Sequence, residues 1–398
     1  MMSTFSAATS TEVKAAPIVS TRNAAYDRAR TFIIVLVLIH HSVIPYTYYG
    51  QTDRQSFIGF DAIVLFVDSF LMSAMFLLSG LFVWPSLRRK ETSLFLRDRW
   101  WRLGLPFVIA ATILMPIAYY AVELRLHPGS SFATYWWKTV TTGPWPSGPV
   151  WFIWVLLAFD MLAAVVYRTV PGCVEAIGRL SLASLKRPGI SFWALLIRSI
   201  IVYVPADLYS ASRAGSRWDR WRFRRAGFCY TCFFAGVGIG SVRREAGLLS
   251  REGELTRRWP IWLVASVLTY GCIIALIFVK HNLIADANDP PLWFRLTYSL
   301  TFASFSVAQT FNLLALFLRF DSDGWSILDP LRASSYGIFL IHYVPLLWLQ
   351  YALFGITLAP IPQLTAIIKA VIVLIVTLML SWAATACLRR IPGAEHVL

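Results

Sequence analysis

Two adjacent histidines, His40 and His41, interrupt the first strongly apolar stretch of the chain, and charged residues precede them at its start. On an α-helix, Arg30 and His41 are eleven positions apart, so they differ by only about 20° around the axis and about 16 Å along it. Asp27 falls about 40° from His41, whereas His40 is rotated about 80° away. The spacing predicts that Asp27, Arg30 and His41 share a helix face and that His41 is the histidine that does chemistry.

A further histidine, His342, ends the segment 334–342 in a late apolar run. Counted at about 1.5 Å per residue from the predicted inner ends of their runs, His41 and His342 lie at a similar depth of about 14–16 Å. An imidazole can take a proton from a hydroxyl and return it near neutral pH, so the two histidines predict general acid–base chemistry in a shared cavity. The alternative is that these groups only hydrogen-bond between helices and fix their packing.

The elements that must position these residues are membrane-spanning helices. The sequence of 398 residues is 57% hydrophobic and 14% charged, whereas soluble proteins are about a quarter charged. Apolar runs of about 20 residues recur from end to end without the alternation of a β-barrel, which predicts an all-α, polytopic protein of the lipid bilayer. Ten spans are predicted at about residues 31–49, 59–84, 103–122, 149–167, 189–206, 226–241, 261–279, 292–318, 333–354 and 363–388.

The charged residues predict how the chain is oriented. Segment 1–25 is expected to be a disordered cytoplasmic tail, 26–390 a single membrane domain, and 391–398 a short cytoplasmic C-terminal tail. If the N-terminus is inside, the inner segments hold roughly twice as many lysines and arginines as the outer loops, which predicts that both termini are cytoplasmic. The net charge of +15 is explained by these short loops, so no nucleic-acid partner is expected. Segment 210–225 carries six arginines on the outer side against this rule, and its role stays open.

A cluster of cations occupies the predicted inner loop 88–102. Arg99 and Arg102 are three positions apart, on one side of a helix, where they could grip a pyrophosphate or simply anchor the inner membrane face. Ser79, near the inner end of the second predicted span, could line the same cavity. Asp68, in the middle of that span, could either take part in catalysis or be the buried partner of a histidine or an arginine.

Other motifs suggest chemistry less strongly. Cys229 and Cys232 have C-x-x-C spacing, but they have no second pair and lie at a membrane segment, so apolar packing is favoured and no metal is expected. The glycines of 236–240 imitate a dinucleotide loop, yet they lie inside an apolar span, which favours close helix packing. Asp160 and Arg198 could pair with each other across two helices.

Taken in chain order, these motifs resemble the acyltransferase-3 family of integral-membrane acyltransferases, which decorate bacterial carbohydrates. The similarity begins with Asp27-x-x-Arg30 and the ten residues that separate Arg30 from His41. It continues through FLLSGLF at 76–82, an R-x-x-R pair at Arg99 and Arg102, GPVWFIW at 148–154 and YGIFLIH at 336–342. The length and the ten predicted spans are most similar to the branch of the family that contains the glucan biosynthesis protein C.

The resemblance implies an O-acyltransferase of the bacterial inner membrane. Such an enzyme takes an acetyl or succinyl group from cytoplasmic acyl-CoA and passes it to a hydroxyl of a periplasmic or cell-surface carbohydrate. By the same resemblance, His41 is the catalytic histidine, Arg30 supports it or the donor, and Arg99 and Arg102 meet the phosphates of CoA. The alternative function is a transporter or flippase for a lipid-linked or acidic sugar, which would use the same intramembrane charges as its substrate pathway.

Overall fold

The computed structural model of the protein describes residues 24–50, 52–143, 148–211, 217–242, 247–284, 286, 289–320 and 326–393. Within these ranges every regular element is helical. The α-helices are α1 Ala24–Val43, α2 Ile58–Gly80, α3 Val83–Arg89, α4 Thr92–Arg99, α5 Leu105–Ile109, α6 Met115–Leu126, α7 Phe132–Thr141, α8 Trp151–Thr169, α9 Pro171–Ala183, α10 Gly189–Ala211, α11 Arg217–Ile239, α12 Glu254–Arg257, α13 Trp259–Asn282, α14 Leu292–Arg319, α15 Asp329–Arg332, α16 Ser335–Ile341, α17 Tyr343–Ala352 and α18 Pro362–Leu388.

Helices predominate because a backbone surrounded by lipid must satisfy its own hydrogen bonds. In the described part of the chain, eight helical stretches are long and apolar enough to cross a membrane by length and composition. They are Ala25–Tyr46, Ile58–Arg89, Thr92–Leu126, Gly148–Thr169, Gly189–Tyr209, Trp259–Asn282, Leu292–Arg319 and Pro362–Leu388. The predicted class, an all-α polytopic membrane protein, is confirmed.

Two of the ten predicted spans are not among these eight. The sixth corresponds to the shorter apolar stretch Arg225–Ile239 within α11. The ninth is divided into α16 and α17, which are separated at His342. Pro345 explains the interruption, because proline has no N–H to donate to the carbonyl four residues earlier. The count of ten crossings therefore stays a prediction.

Polar contacts between helix termini define two ends of the bundle. At one end, Arg28 of α1 donates two hydrogen bonds to the Asp329 carboxylate, at 3.1 and 3.0 Å. At the same end, Arg389 donates a hydrogen bond of 2.6 Å to the Ala333 carbonyl. The start of α1, the start of α16 and the end of α18 therefore lie together. We call this the inner end, since it is the one predicted to face the cytoplasm, and we call the opposite one the outer end.

The predicted close packing at 236–240 is confirmed between α2 and α11. A Cβ atom added to Gly236 would lie 2.1 Å from the Leu77 carbonyl oxygen, far inside van der Waals contact. In the reverse direction, a Cβ atom on Gly80 would lie 2.2 Å from the Phe233 carbonyl oxygen. The two backbones touch, and only glycine fits at these positions. This contact fixes α2, against which the inner part of α1 packs.

Candidate active site

His41 and His342 lie against each other in the bundle. Their ring centroids are 5.6 Å apart and the ring planes are inclined by 29°. His41 is thirteen residues beyond Arg28, and His342 is thirteen residues beyond Asp329, to which Arg28 is bound. The direct contact of the two rings shows that the imidazoles lie at the same level of the bundle. The prediction that two helices offer imidazoles at a shared depth is confirmed.

A hydrogen bond fixes the orientation of His342, whose side chain is completely buried. Its Nδ1 atom lies 2.7 Å from the Phe339 carbonyl oxygen. A carbonyl oxygen can only accept, so Nδ1 carries the proton and Nε2 of the neutral ring has the lone pair. Nε2 is buried and has no hydrogen-bond partner among the described residues. The ring is therefore positioned to accept a hydrogen bond through Nε2.

Tyr343 and Gly148 complete the surroundings of the two histidines. The Tyr343 ring lies edge-on to His41, with centroids 5.2 Å apart, and 5.5 Å from the Tyr119 ring. A Cβ atom on Gly148 would lie 2.8 Å from the Met115 sulfur and 3.4 Å from the Tyr343 ring, and the backbone φ of this glycine is +41°. Both the space and the backbone conformation therefore require glycine here. The motif at 148–154 thus begins beside the paired histidines.

His40 faces a different group of residues, as its rotation on the helix predicts. Its Nε2 atom is 4.0 Å from Asp68 of α2, and the other Asp68 carboxylate oxygen is 3.2 Å from Arg225 of α11. The Arg225 guanidinium also lies 5.2 Å from the centre of the Phe302 ring. Asp68 is thus a partner of both a histidine and an arginine, as one of its two predicted roles requires, although its side chain is 31% exposed rather than buried. Of the six arginines at 210–225, only the Arg225 side chain lies within the described part of the chain, and the other five side chains lie outside it.

Arg30 contacts the inner end of α2. Its Nη2 atom donates a 3.0 Å hydrogen bond to the Leu78 carbonyl, and its guanidinium lies 4.3 Å from the centre of the Phe82 ring. Ser79 follows Leu78 directly, so Arg30 and Ser79 belong to one neighbourhood. Asp27, one turn earlier on α1, accepts a 2.9 Å hydrogen bond from Thr31 through its carbonyl. Arg30 is thus placed about 16 Å along the helix from His41, towards the inner end.

Arg99 and Arg102 have different surroundings, and the assumption of a regular α-helix through them is wrong. Residues Trp100–Gly104 form a π-helical turn, which changes the angle between side chains three positions apart. Arg99 turns inward, where its Nε atom is 3.2 Å from the buried Asp160 carboxylate of α8. Arg102 is exposed, and its carbonyl accepts a 2.8 Å hydrogen bond from the Tyr336 hydroxyl. Asp160 is therefore the partner of Arg99, not of Arg198.

One buried charge near the outer end was not singled out from the sequence. Lys369 is 0% exposed, and its Nζ atom donates to both oxygens of Asp53, at 3.1 and 3.0 Å, and to the Gln55 amide oxygen at 2.9 Å. A lysine inside the last apolar run was the available signal, because such charges are costly in a membrane. Its partners lie in the loop after α1, where no helical periodicity could reveal them. The ion pair fastens this loop to α18.

Comparison with protein families gives one match. The model of the acyltransferase domain that defines the acyltransferase-3 family matches residues 23–386. The matched region includes α1, the paired histidines and every motif described above. No similar protein was found among curated proteins.

Proposed function

Because the chain belongs to the acyltransferase-3 family, we propose that this membrane acyltransferase moves an acetyl or succinyl group from cytoplasmic acyl-CoA to a hydroxyl of a periplasmic or cell-surface carbohydrate. The pairing of His41 with His342 is the observation that supports this most directly. An acyl transfer to an alcohol requires a base that removes the hydroxyl proton as the oxygen attacks. Two adjacent imidazoles, one with a fixed tautomer, suit that task.

In the proposed reaction, the acceptor hydroxyl attacks the thioester carbonyl while His41 takes its proton. The new oxygen–carbon bond forms, the carbon–sulfur bond breaks, and the CoA thiolate receives that proton from the His41 imidazolium. No other reactant is needed. His342, with its Nδ1 proton held by the Phe339 carbonyl, would accept a hydrogen bond through Nε2 from the hydroxyl or from the imidazolium.

The donor would approach from the inner end, where the predicted donor residues lie. Arg30 is held beside Ser79 by the Leu78 carbonyl, and both would face the thioester arm of acyl-CoA. The exposed Arg102 would meet its phosphates, whereas Arg99, bound to the buried Asp160, would hold this segment against α8. Asp27, at the inner start of α1, would take part on this side as well. No metal is required by this scheme.

Variants of the two histidines test the proposal. The purified protein in proteoliposomes is given acetyl-CoA or succinyl-CoA and linear glucose oligomers, and ester formation is followed by mass spectrometry. Loss of a general base is expected to lower transfer by about 10²–10⁴-fold in His41→Ala. His127→Ala is the matched control, because this histidine is at the outer surface with its side chain 68% exposed.

The tautomer of His342 predicts how its two amide replacements differ. Gln places its amide near the position of Nε2 and Asn near that of Nδ1, so His342→Gln is expected to retain more transfer than His342→Asn.

Full transfer by a well-expressed His41→Ala protein would disprove the assignment of the base. The cellular substrate is identified by comparing ester groups on glycans, by NMR and mass spectrometry, with and without the gene.

The cluster of His40, Asp68 and Arg225 favours a second candidate, a transporter or flippase for a lipid-linked or acidic sugar. Paired charges in the middle of a helix bundle are typical of substrate pathways. Reconstitution separates the two functions. Consumption of acyl-CoA with an acylated product favours the enzyme, whereas movement of the sugar without thioester cleavage favours the carrier.

A further inference from the structure

A depression lies at the outer end of the bundle, directly beyond the paired histidines. Its lining includes Pro45, Asp53, Arg125, Gln350, Tyr351 and Phe354, and we call it the outer vestibule. These residues come from the turn and loop that follow α1, from the end of α6, and from the end of α17 and the residues just beyond it. The vestibule therefore faces the side opposite to Arg28 and Asp329.

Pro45, which lines the vestibule, leaves the His41 carbonyl open to a donor from another helix. Pro45 has no N–H, so it cannot donate to the carbonyl of His41, the residue four positions earlier in the chain. Gln350 fills this role instead, because its Nε2 atom donates a 2.9 Å hydrogen bond to the His41 carbonyl oxygen. Gln350 is eight residues beyond His342 on the same helical segment, a rise of about 12 Å. Gln350, which lines the vestibule, thus lies about 12 Å along the helix from His342 and contacts the backbone of His41.

The charges in the vestibule are not balanced. Asp53 is neutralised by the buried ammonium of Lys369. Arg125 donates a 3.2 Å hydrogen bond to the Thr52 carbonyl, and no carboxylate forms an ion pair with it within the part of the chain that the structure describes. One half-buried guanidinium is therefore left to bind a polar ligand from outside.

One aromatic ring borders this guanidinium, and a second, that of Tyr351, lines the same depression. Phe354 lies 5.4 Å from the guanidinium, measured from the ring centre, and its side chain is 38% exposed, as is that of Tyr351. Exposed aromatic faces beside a hydrogen-bond donor suit a ring that has apolar C–H faces and polar edges. A sugar has this construction, whereas a lipid tail lacks the polar edge.

We propose that the outer vestibule is the binding site for a sugar unit of the acceptor, with the ring on Phe354 and Tyr351 and its hydroxyls on Arg125 and Gln350. The proposal rests on the proposed acyl transfer to a carbohydrate, and adds the residues that select the acceptor. A unit held there places a neighbouring hydroxyl towards His41. Gln350 would also transmit occupancy of the vestibule to the backbone of His41.

Two variants and two controls test the site in the full-length protein in lipid nanodiscs. Arg125→Gln removes the guanidinium, and Phe354→Ala removes one aromatic face. Arg295→Gln and Trp293→Ala remove a cation and an exposed ring at the outer start of α14, away from the vestibule. The ligands are linear glucose oligomers and linear galacturonic acid oligomers, and their binding is measured by saturation-transfer NMR and their acylation by steady-state kinetics.

Arg125→Gln is expected to raise the KM for the oligomer about tenfold or more, because a hydrogen bond to a charged group is lost. Phe354→Ala is expected to raise the same KM, because the sugar ring loses one aromatic face of its site. The KM for acyl-CoA and the slow hydrolysis of acyl-CoA should stay at the wild-type level in these variants. In the two control variants, the KM for the oligomer should also stay at the wild-type level. A stronger effect of Arg125→Gln on the acidic oligomer would identify an anionic acceptor, and equal effects a neutral one. An unchanged KM for both oligomers, or a change in the KM for acyl-CoA alone, would overturn the proposal.

Binding is measured separately so that the two hypotheses can fail separately. If the wild-type protein transfers no acyl group but binds an oligomer that Arg125→Gln no longer binds, the proposed function fails and the sugar site stands. If the wild-type protein transfers acyl groups and the variants bind and react as it does, the sugar site fails alone. If the wild-type protein binds neither oligomer, the sugar site is wrong.

Discussion

Removal of the Lys369 ammonium is expected to destabilise the protein strongly. All three of its N–H groups are engaged, by the two Asp53 oxygens and the Gln55 amide, and the side chains of Lys369 and Asp53 are 0% and 3% exposed. In Lys369→Met the Asp53 carboxylate stays buried without its counter-charge. Breaking one side of such a pair costs about 3–5 kcal/mol, whereas replacing both partners by apolar residues is often close to neutral.

The double variant Lys369→Met with Asp53→Leu is therefore expected to regain most of this loss, apart from about 1 kcal/mol for the Gln55 amide that loses its partner. The free energy of unfolding is measured for the wild type, both single variants and the double variant in the same mixed micelles. Lys138→Met in the exposed part of α7 is the control, and a change below about 0.5 kcal/mol is expected there. A single variant as stable as the wild type, or a double variant no better than the single, would refute the reasoning.

Two further outcomes are expected, both measured as unfolding free energies. The side-chain hydrogen bond from Arg28 lowers the pKa of Asp329, so the contact stabilises the protein above the ordinary carboxyl pKa of about 3.9 and is lost as the pH falls through the lowered folded value. Asp329→Asn should thus cost up to about 1 kcal/mol at neutral pH and nothing in strong acid, and a difference that does not vanish would contradict this sign. Gly236→Ala should cost about 1–3 kcal/mol through overpacking. Gly271→Ala, where an added Cβ meets no atom within 4 Å, should be neutral or stabilising. Equal effects of the two substitutions would contradict the backbone contact at Gly236.

The sequence alone predicts the depth and the direction of a side chain correctly where both depend only on its position along a regular helix. The constant rise of about 1.5 Å per residue gave His41 and His342 a common level, and the step of about 100° separated His40 from His41. Both results agree with the ring contacts and with the approach of His40 to Asp68. Glycines in an apolar run likewise predicted the contact at Gly236, because small residues let two membrane helices approach until their backbones touch.

Partners across the bundle were beyond the sequence for a physical reason. Which helices become neighbours depends on packing of the whole bundle, so Asp160 was considered with Arg198 although it binds Arg99. The π-helical turn at Trp100–Gly104 is a local departure from periodicity that composition does not reveal. Gln350 was missed because its importance depends on a missing N–H in another helix, at Pro45.

The helices that carry the paired histidines are fastened at three heights. Arg28 binds Asp329 at the inner end, the two imidazoles stack in between, and Gln350 binds the His41 carbonyl further out. Sliding of α1 along α16 and α17 by even one turn would break all three attachments together. These helices are thus expected to move as one rigid unit and not to slide past each other. In the proposed reaction, the thioester and the alcohol would therefore have to reach this pair of rings, one from each side of the membrane.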